Sequence, residues 1–402
     1  MRRQVVITGC GVVTAAGSEL GPFWDNLMAG ACFIGPVRAF SCPGLDPLTG
    51  TEVELPEPDA AEENAQGGRC AQLTLAAARR ALAHAGLRSG SPELEEAGVV
   101  VGTTLGEERQ VGDLDDRWPA SGADAIDAGF LARSDNHRLA TLVAARHGFG
   151  GPTVVSATAC SSGNAAIAWG YELVSSGAAD LMLVAGADAL TRSIYTGFQR
   201  MGALSKGICH PFDRRLDGVS FGEGAGALVL EEAGRARRRG APLHAELAGY
   251  GLSNDAHHIT APDPNGEGTV AAIRQALATS GTSLEEVDYV SAHGTGTPYN
   301  DVAETRAMKA VFGERARQVP ISSIKSMLGH TNGAASAIEA VACTLALRHQ
   351  AVPPTANLTE PHPECDLDYV PLRGRPLRVR TCLNLSAGFG GFNVCVVLKR
   401  AP

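Results

Sequence analysis

What most restricts the fold of this chain is a repetition: stretches from its first 240 residues come back, in the same order, after residue 240. LAGYGLSND answers VITGCGVVT, and VDYVSAHGTGT answers AGVVVGTT. VPISSIKSMLGHTNGAASAIEAVACTLAL answers PTVVSATACSSGNAAIAWGYELV, and FNVCVVLKR answers GAGALVLEE. Each match is short, but a shared order is what duplicated units leave behind, because each must bury an equivalent face against its neighbour. Apolar runs of strand length alternate with Ala-rich runs of helical length, the signature of βα-rich units. The expectation is an α/β protein in two halves, 1–240 and 241–402, sharing one core. A chain of 402 residues is long enough to build it.

Within the first half, residues 153–157 read as a buried strand and residues 161–174 as a helix packed inside the protein, with Cys160 at the bend between them. A strand that turns sharply into a helix exposes the residue at the turn and leaves the N–H groups of the first helical turn nearby. That setting favours thiolate over thiol and can hold an oxyanion. The plain alternative is one more buried thiol. The repetition sets the second-half bend, residues 326–333, opposite Cys160, and His330 stands there. His293, in SAHGTGTPYND, also follows a strand end, where α/β sheets gather ligands. Either imidazole could instead be a satisfied hydrogen-bonding side chain. Lys325 and Glu339 are charges in apolar sequence and are expected to meet as a pair, catalytic or merely structural.

AGFGGFN (387–393) is glycine-rich, but no Lys-Ser/Thr and no helix follow it, so it is not a phosphate-binding loop. Close approach of backbone to a substrate explains Gly388 and Gly390, with Phe389 as a movable side chain among them. His257 and His258 beside Asp255 lack a third metal ligand, so no metal site is expected. Residues 36–68 read as surface loop, Gly9, Gly11 and Gly17 as a loop before a short helix at 24–28, and RARRRG (235–240) as a solvated connection. The polar segment 104–135 fits a lid or subunit contact as well as a plain loop.

The net charge of −9 argues against a general nucleic-acid role. Ten scattered cysteines without paired spacing fit reduced thiols in a cytoplasmic protein. The start imitates a signal peptide, but its glycines break the apolar run and it reads as a first strand. No stretch reaches membrane-spanning length.

TACSSGNAAI, PFDRRLDGVSFGEGAGALVLEE, SAHGTGTPYND, SSIKSMLGHTNGAASAIEA and SAGFGGFN together resemble the β-ketoacyl-acyl-carrier-protein synthases, condensing enzymes of the thiolase superfamily. The resemblance spans nearly the whole chain. It implies the thiolase fold, two duplicated halves in a five-layer α-β-α-β-α arrangement, normally dimeric. It implies that Cys160 accepts an acyl group from the phosphopantetheine arm of an acyl carrier protein. His293 and His330 would then stabilise the enolate formed when a malonyl thioester loses carbon dioxide, and the N–H groups of Cys160 and Phe389 would form an oxyanion hole. By the same resemblance Lys325 and Glu339 orient the second histidine, Thr295 and Thr297 bind the pantetheine arm, Phe389 gates the site and Arg69 docks the carrier. No tightly bound cofactor is implied. Ala387 and Phe392 replace the phenylalanine and threonine usual in fatty-acid members, and GFGGF with PPTANLTEPHPECDLDYVP looks more like the ketosynthase subunits of type II polyketide systems. Those commonly pair with a chain-length-factor paralogue that lacks the cysteine, so homodimer and heterodimer are both open. The alternatives are a fatty-acid elongation enzyme, a non-catalytic chain-length-factor-like partner, and a thiolase using coenzyme A.

Overall fold

The protein is described from a computed structural model covering residues 2–45, 47–55 and 67–401. Ten strands form one hydrogen-bonded sheet. They are β1 (Val5–Val13), β2 (Gly98–Gly102), β3 (Thr153–Ser156), β4 (Leu181–Asp188), β5 (Gly224–Glu232), β6 (Ala245–Asn254), β7 (Tyr289–Ser291), β8 (Ile321–Ser322), β9 (Thr381–Gly388) and β10 (Phe392–Arg400). Their order is β8-β7-β9-β10-β6-β1-β5-β4-β2-β3. From the middle outward, β1-β5-β4-β2-β3 and β6-β10-β9-β7-β8 are one order, with five added to each label. In each half the outer three strands run parallel and the inner three antiparallel. Within the sheet the two halves pair at Val5–Ile7 with Ala245–Leu247.

The principal helices are α1 (Leu20–Ala29), α2 (Arg69–His84), α3 (Glu108–Ser121), α4 (Arg138–His147), α5 (Ser162–Ser176), α6 (Arg192–Arg200), α7 (Glu267–Ser280), α8 (Pro298–Phe312) and α9 (Ala335–His349). α2 and α4 cover the first sheet half, α7 and α8 the second, and α5 and α9 lie between the halves and touch both. This is the five-layer α-β-α-β-α thiolase arrangement. α9 explains its own position: every residue from Ala335 to Leu347 is buried, and a helix apolar all round belongs in an interior. α5 and α9 cross at Gly163, where a Cβ would lie 2.7 Å from Ser336 Oγ and 2.8 Å from Ala337 N.

Several local expectations are corrected. β1 continues through Gly9 and Gly11, which were expected in a loop. A Cβ on either would lie 2.3 Å from Ala81 O or 2.1 Å from Ala77 O, so these glycines let α2 press onto the strand. β3 is an edge strand, exposed at Thr153 and half-buried at Val154 and Val155, and not the fully buried strand expected. On α5, Trp169 points outward and is 52% exposed. Part of RARRRG is helical (Ala233–Arg238), and Arg235 and Arg239 pair with the buried Glu231, so the stretch is tied down instead of simply solvated. In 36–68, Thr49–Thr51 pairs with Gly35–Pro36 and with Phe221–Gly222, while residue 46 and residues 56–66 lie outside the described residues. The segment 104–135 contains α3, which has no buried residue and exposes Val111 and Trp118.

Candidate active site

The nucleophile candidate sits in a strained turn. Ala159 holds φ at 51°, a left-handed conformation uncommon for a residue with a side chain. Ser162 staples that turn: its Oγ accepts from Thr158 N at 2.9 Å and lies within reach of the Ala159 and Thr103 carbonyls, at 2.5 and 3.0 Å. Cys160 itself is 9% exposed, lying at the floor of a cavity and not at an open surface. Gly388, at the end of β9, brings a second backbone against it, since a Cβ there would be 3.2 Å from Cys160 N. Gly390 and Gly391 then take φ of 84° and 80° in the β9–β10 turn, which holds Phe389 beside Phe198, their rings stacked with centroids 5.2 Å apart.

The cavity, about 490 Å³, brings together Cys160, His293, His330, Thr295, Thr297 and Phe389, with Gly388 and Gly390 in the same wall. The two imidazoles meet edge to face, centroids 5.4 Å apart. Among the described residues, neither ring nitrogen of His330 nor Nδ1 of His293 has a hydrogen-bond partner. Backbone bonds and ring packing therefore hold both rings, with the Phe221 ring stacked on His330, centroids 6.2 Å apart. His330 N donates to Ser220 O at 2.7 Å, and Glu304 takes the N–H groups of His293 and Gly294 at 2.7 and 2.8 Å. Asp301 likewise accepts from Thr295 and Gly296, so the first turn of α8 shapes the loop carrying His293. The Thr295 and Thr297 hydroxyls lie 2.8 Å apart.

Lys325 and Glu339 form a buried ion pair, Nζ to Oε1 2.5 Å, behind the cavity wall. Arg69 does not line the cavity. Its guanidinium is committed to Glu223 at 2.6 Å and to the Val53 carbonyl.

Charge states follow from burial. Desolvation, then Lys325 and the neighbouring ring, hold His293 well below the ordinary histidine value; desolvation and Lys325 do the same for His330, so both are neutral. Burial also pushes the Cys160 thiol up to about 12, with Lys325 opposing and Asp188 adding to the rise. The helix-end effect expected to favour thiolate is thus outweighed, and the resting group is a thiol beside two neutral imidazoles. Burial raises Asp301 to about 7 and pushes Glu304 and Glu339 up as well.

Sequence reasoning missed Asp188, Asp301 and Glu304. The signal available for Asp188 was a carboxylate closing the unbroken apolar run of β4; for the other two it was acidic residues in the first turns of a helix, where backbone N–H groups lack partners.

The family model described as beta-ketoacyl synthase, N-terminal domain, matches residues 2–236, and that of the C-terminal domain matches residues 244–359. The chain is 38% identical to 3-oxoacyl-[acyl-carrier-protein] synthase 2 of Synechocystis sp., over 99% of this chain and 98% of that one. It is 37% identical to the tetracenomycin polyketide synthase ketoacyl synthase alpha subunit of Streptomyces glaucescens, over 99% and 97%. Among solved structures, the ishigamide ketosynthase/chain length factor superposes with a TM-score of 0.95 at 39% identity, covering all of both chains. A cysteine beside a strained turn, sharing a cavity with two neutral imidazoles in a doubled α/β frame, is in keeping with these matches, and the chain belongs to the β-ketoacyl synthase family.

Proposed function

We propose that the protein is the ketosynthase subunit of a type II polyketide system, joining an acyl-enzyme thioester to malonyl-acyl-carrier protein with loss of carbon dioxide. The observation that carries this reading is the shared cavity of Cys160, His293 and His330. In the first step the Cys160 sulfur attacks the acyl thioester of the carrier's phosphopantetheine arm. The carbonyl oxygen becomes an oxyanion facing the N–H groups of Cys160 and Phe389, and the carrier thiol leaves with the proton that Cys160 gives up. The malonyl thioester then loses carbon dioxide. Its carbonyl oxygen takes the negative charge of the enolate, and an N–H from each neutral imidazole holds it. The enolate carbon attacks the acyl carbonyl, and the Cys160 sulfur departs as a thiolate that takes a proton from solvent to restore the resting thiol. Neutral imidazoles suit this chemistry because each keeps one N–H to donate. Thr295 and Thr297 hold the pantetheine arm, Phe389 closes over the loaded cysteine, and Lys325 with Glu339 fixes the loop bearing His330.

The chain divides at residue 240, a reading supported by the family models meeting between residues 236 and 244 and by the doubled strand order. A second thiolase-fold chain, identical or a chain-length-factor paralogue, covers the unpaired edge of β3 and the adjoining groove of about 400 Å³, where Trp169, Leu252 and Phe392 are exposed. Solved relatives described as a ketosynthase with its chain length factor, and as an acyl-carrier protein in complex with its ketosynthase, support both partners. Among the described residues no helix is long and apolar enough to cross a membrane, and ten free thiols fit a cytoplasmic location. Mass spectrometry after incubation with an acyl-carrier thioester is expected to show one acyl group on Cys160, and none on Cys160→Ala. Full loading of that variant rules the reading out. Release of carbon dioxide from malonyl thioester separates it from a thiolase or a non-catalytic scaffold.

A further inference from the structure

Asp188 closes β4 and is completely buried. Its Oδ1 accepts from Thr103 Oγ1 at 2.7 Å, Leu105 N at 2.9 Å and Gly106 N at 3.2 Å. Its Oδ2 accepts from Thr104 N at 2.8 Å and Gly333 N at 2.6 Å. Four of these donors belong to one tight turn of the first half, directly after β2. The fifth comes from the second half, three residues beyond His330. The same turn reaches the nucleophile, because the Thr103 carbonyl lies 3.0 Å from the Ser162 hydroxyl that staples the bend at Cys160.

Gly333 is confined on every side. A Cβ on it would lie 2.7 Å from Thr104 N and 2.8 Å from Asp188 Oδ2, while side chains at Gly163 or Gly186 would come within 2.8 and 2.9 Å of its carbonyl oxygen. The backbone of Ser220 and Gly222 also holds the loop, His330 N donating to Ser220 O at 2.7 Å and Gly222 N to His330 O at 3.1 Å, and the Phe221 ring stacks on the imidazole. Among the described residues, both ring nitrogens of His330 and both polar atoms of the buried Asn332 amide lack hydrogen-bond partners, so Asp188 is the side chain that ties the far end of this loop at Gly333. The backbone of 330–333 thus places the His330 ring, and Asp188 is the side chain that pins this backbone to the nucleophile's half.

We propose that Asp188 is the positioning residue that sets the separation of Cys160 and His330 across the two halves of the chain. The proposal rests on the condensation reading above. Acyl loading uses the bend at Cys160, whereas decarboxylation uses the second-half imidazoles, so loss of the clamp separates the two activities. Asp188→Asn can turn its amide oxygen toward Thr103, Leu105 and Gly106, but it then presents N–H to the N–H groups of Thr104 and Gly333. It breaks the cross-half bond and leaves most of the first-half set. It also removes a buried negative charge that disfavours the Cys160 thiolate.

The test compares the full chain with Asp188→Asn and Gly333→Ala. One assay follows transfer of an octanoyl group from a carrier thioester to Cys160 by mass spectrometry; the other follows carbon dioxide release from malonyl thioester. Gly333→Ala forces the same junction apart without touching the charge, and it is read even if Asp188→Asn does not fold. Loading is expected to stay within about threefold, while decarboxylation falls by about 100-fold, the scale of a misplacement near 1 Å. Equal loss of both activities in the folded variants, or retention of both, overturns the proposal. Failure of the unaltered chain to release carbon dioxide would instead count against the condensation reading.

Discussion

At the scale of single residues, burial decides the chemistry of the site. A thiol pushed up to about 12 beside uncharged imidazoles means that reactivity of Cys160 toward iodoacetamide should keep rising with pH through pH 10. A plateau near pH 8.5, the ordinary range for a free thiol, would show that the helix terminus prevails after all. The histidines give a stability signature with a definite sign. Both are held neutral in the folded chain, whereas an unfolded histidine titrates near 6.5, so the unfolded state binds more protons below that value and stability falls as pH falls. Denaturant titrations at pH 7 and pH 5.5 should show the wild type losing about 2 kcal/mol more than His293→Gln/His330→Gln over that interval. Equal losses would mean that the rings are protonated in the fold. Cys160, His293 and His330 were legible in the sequence because reactive side chains at strand ends stand out among glycines and small residues. Their charge states were not, since these depend first on how deeply the fold buries each group, and only then on Lys325 and Asp188.

Secondary elements carry their own tests. The Lys325–Glu339 pair joins the short turn before His330 to α9, and both side chains are almost wholly buried. Lys325→Ala strands a carboxylate in the interior and should cost about 3–5 kcal/mol in denaturant-measured stability, with loss of condensation. A cost under about 1 kcal/mol, typical of surface pairs, would show that water reaches Glu339. At the crossing of α5 and α9, Gly163→Ala should destabilise by about 1–3 kcal/mol, because the added methyl meets Ser336 Oγ and the Ala337 backbone. An unchanged melting temperature would show that the helices can slide apart. α9 could be read from sequence because its apolar residues leave no polar stripe. The length of β1 and the outward turn of Trp169 could not, since a glycine demanded by a neighbouring helix looks like a loop glycine until that helix is in place. A tryptophan among alanines likewise looks like core.

Across the whole molecule, the doubled strand order was legible because four short resemblances kept their sequence. The edge left open at β3 was not, since edge and centre strands differ in their neighbours more than in their residues. If a second thiolase-fold chain covers that edge, Trp169→Glu should weaken association by about 30-fold or more in sedimentation measurements, as expected for a buried aromatic anchor. The fold should remain intact. Unaltered association would place the interface elsewhere, with α3 and its exposed Val111 and Trp118 as the next surface to vary.

The seam of three residue pairs between β1 and β6 has a consequence for how this enzyme's rate can be tuned. Cys160 follows a strand on one side of this seam, and His293 and His330 follow strands on the other, so a slight shift across it alters the gap the reacting carbon must cross. Substitutions along Val5–Ile7 or Ala245–Leu247, remote from the cavity, would act as a focusing screw, changing turnover while each side of the sheet keeps its shape.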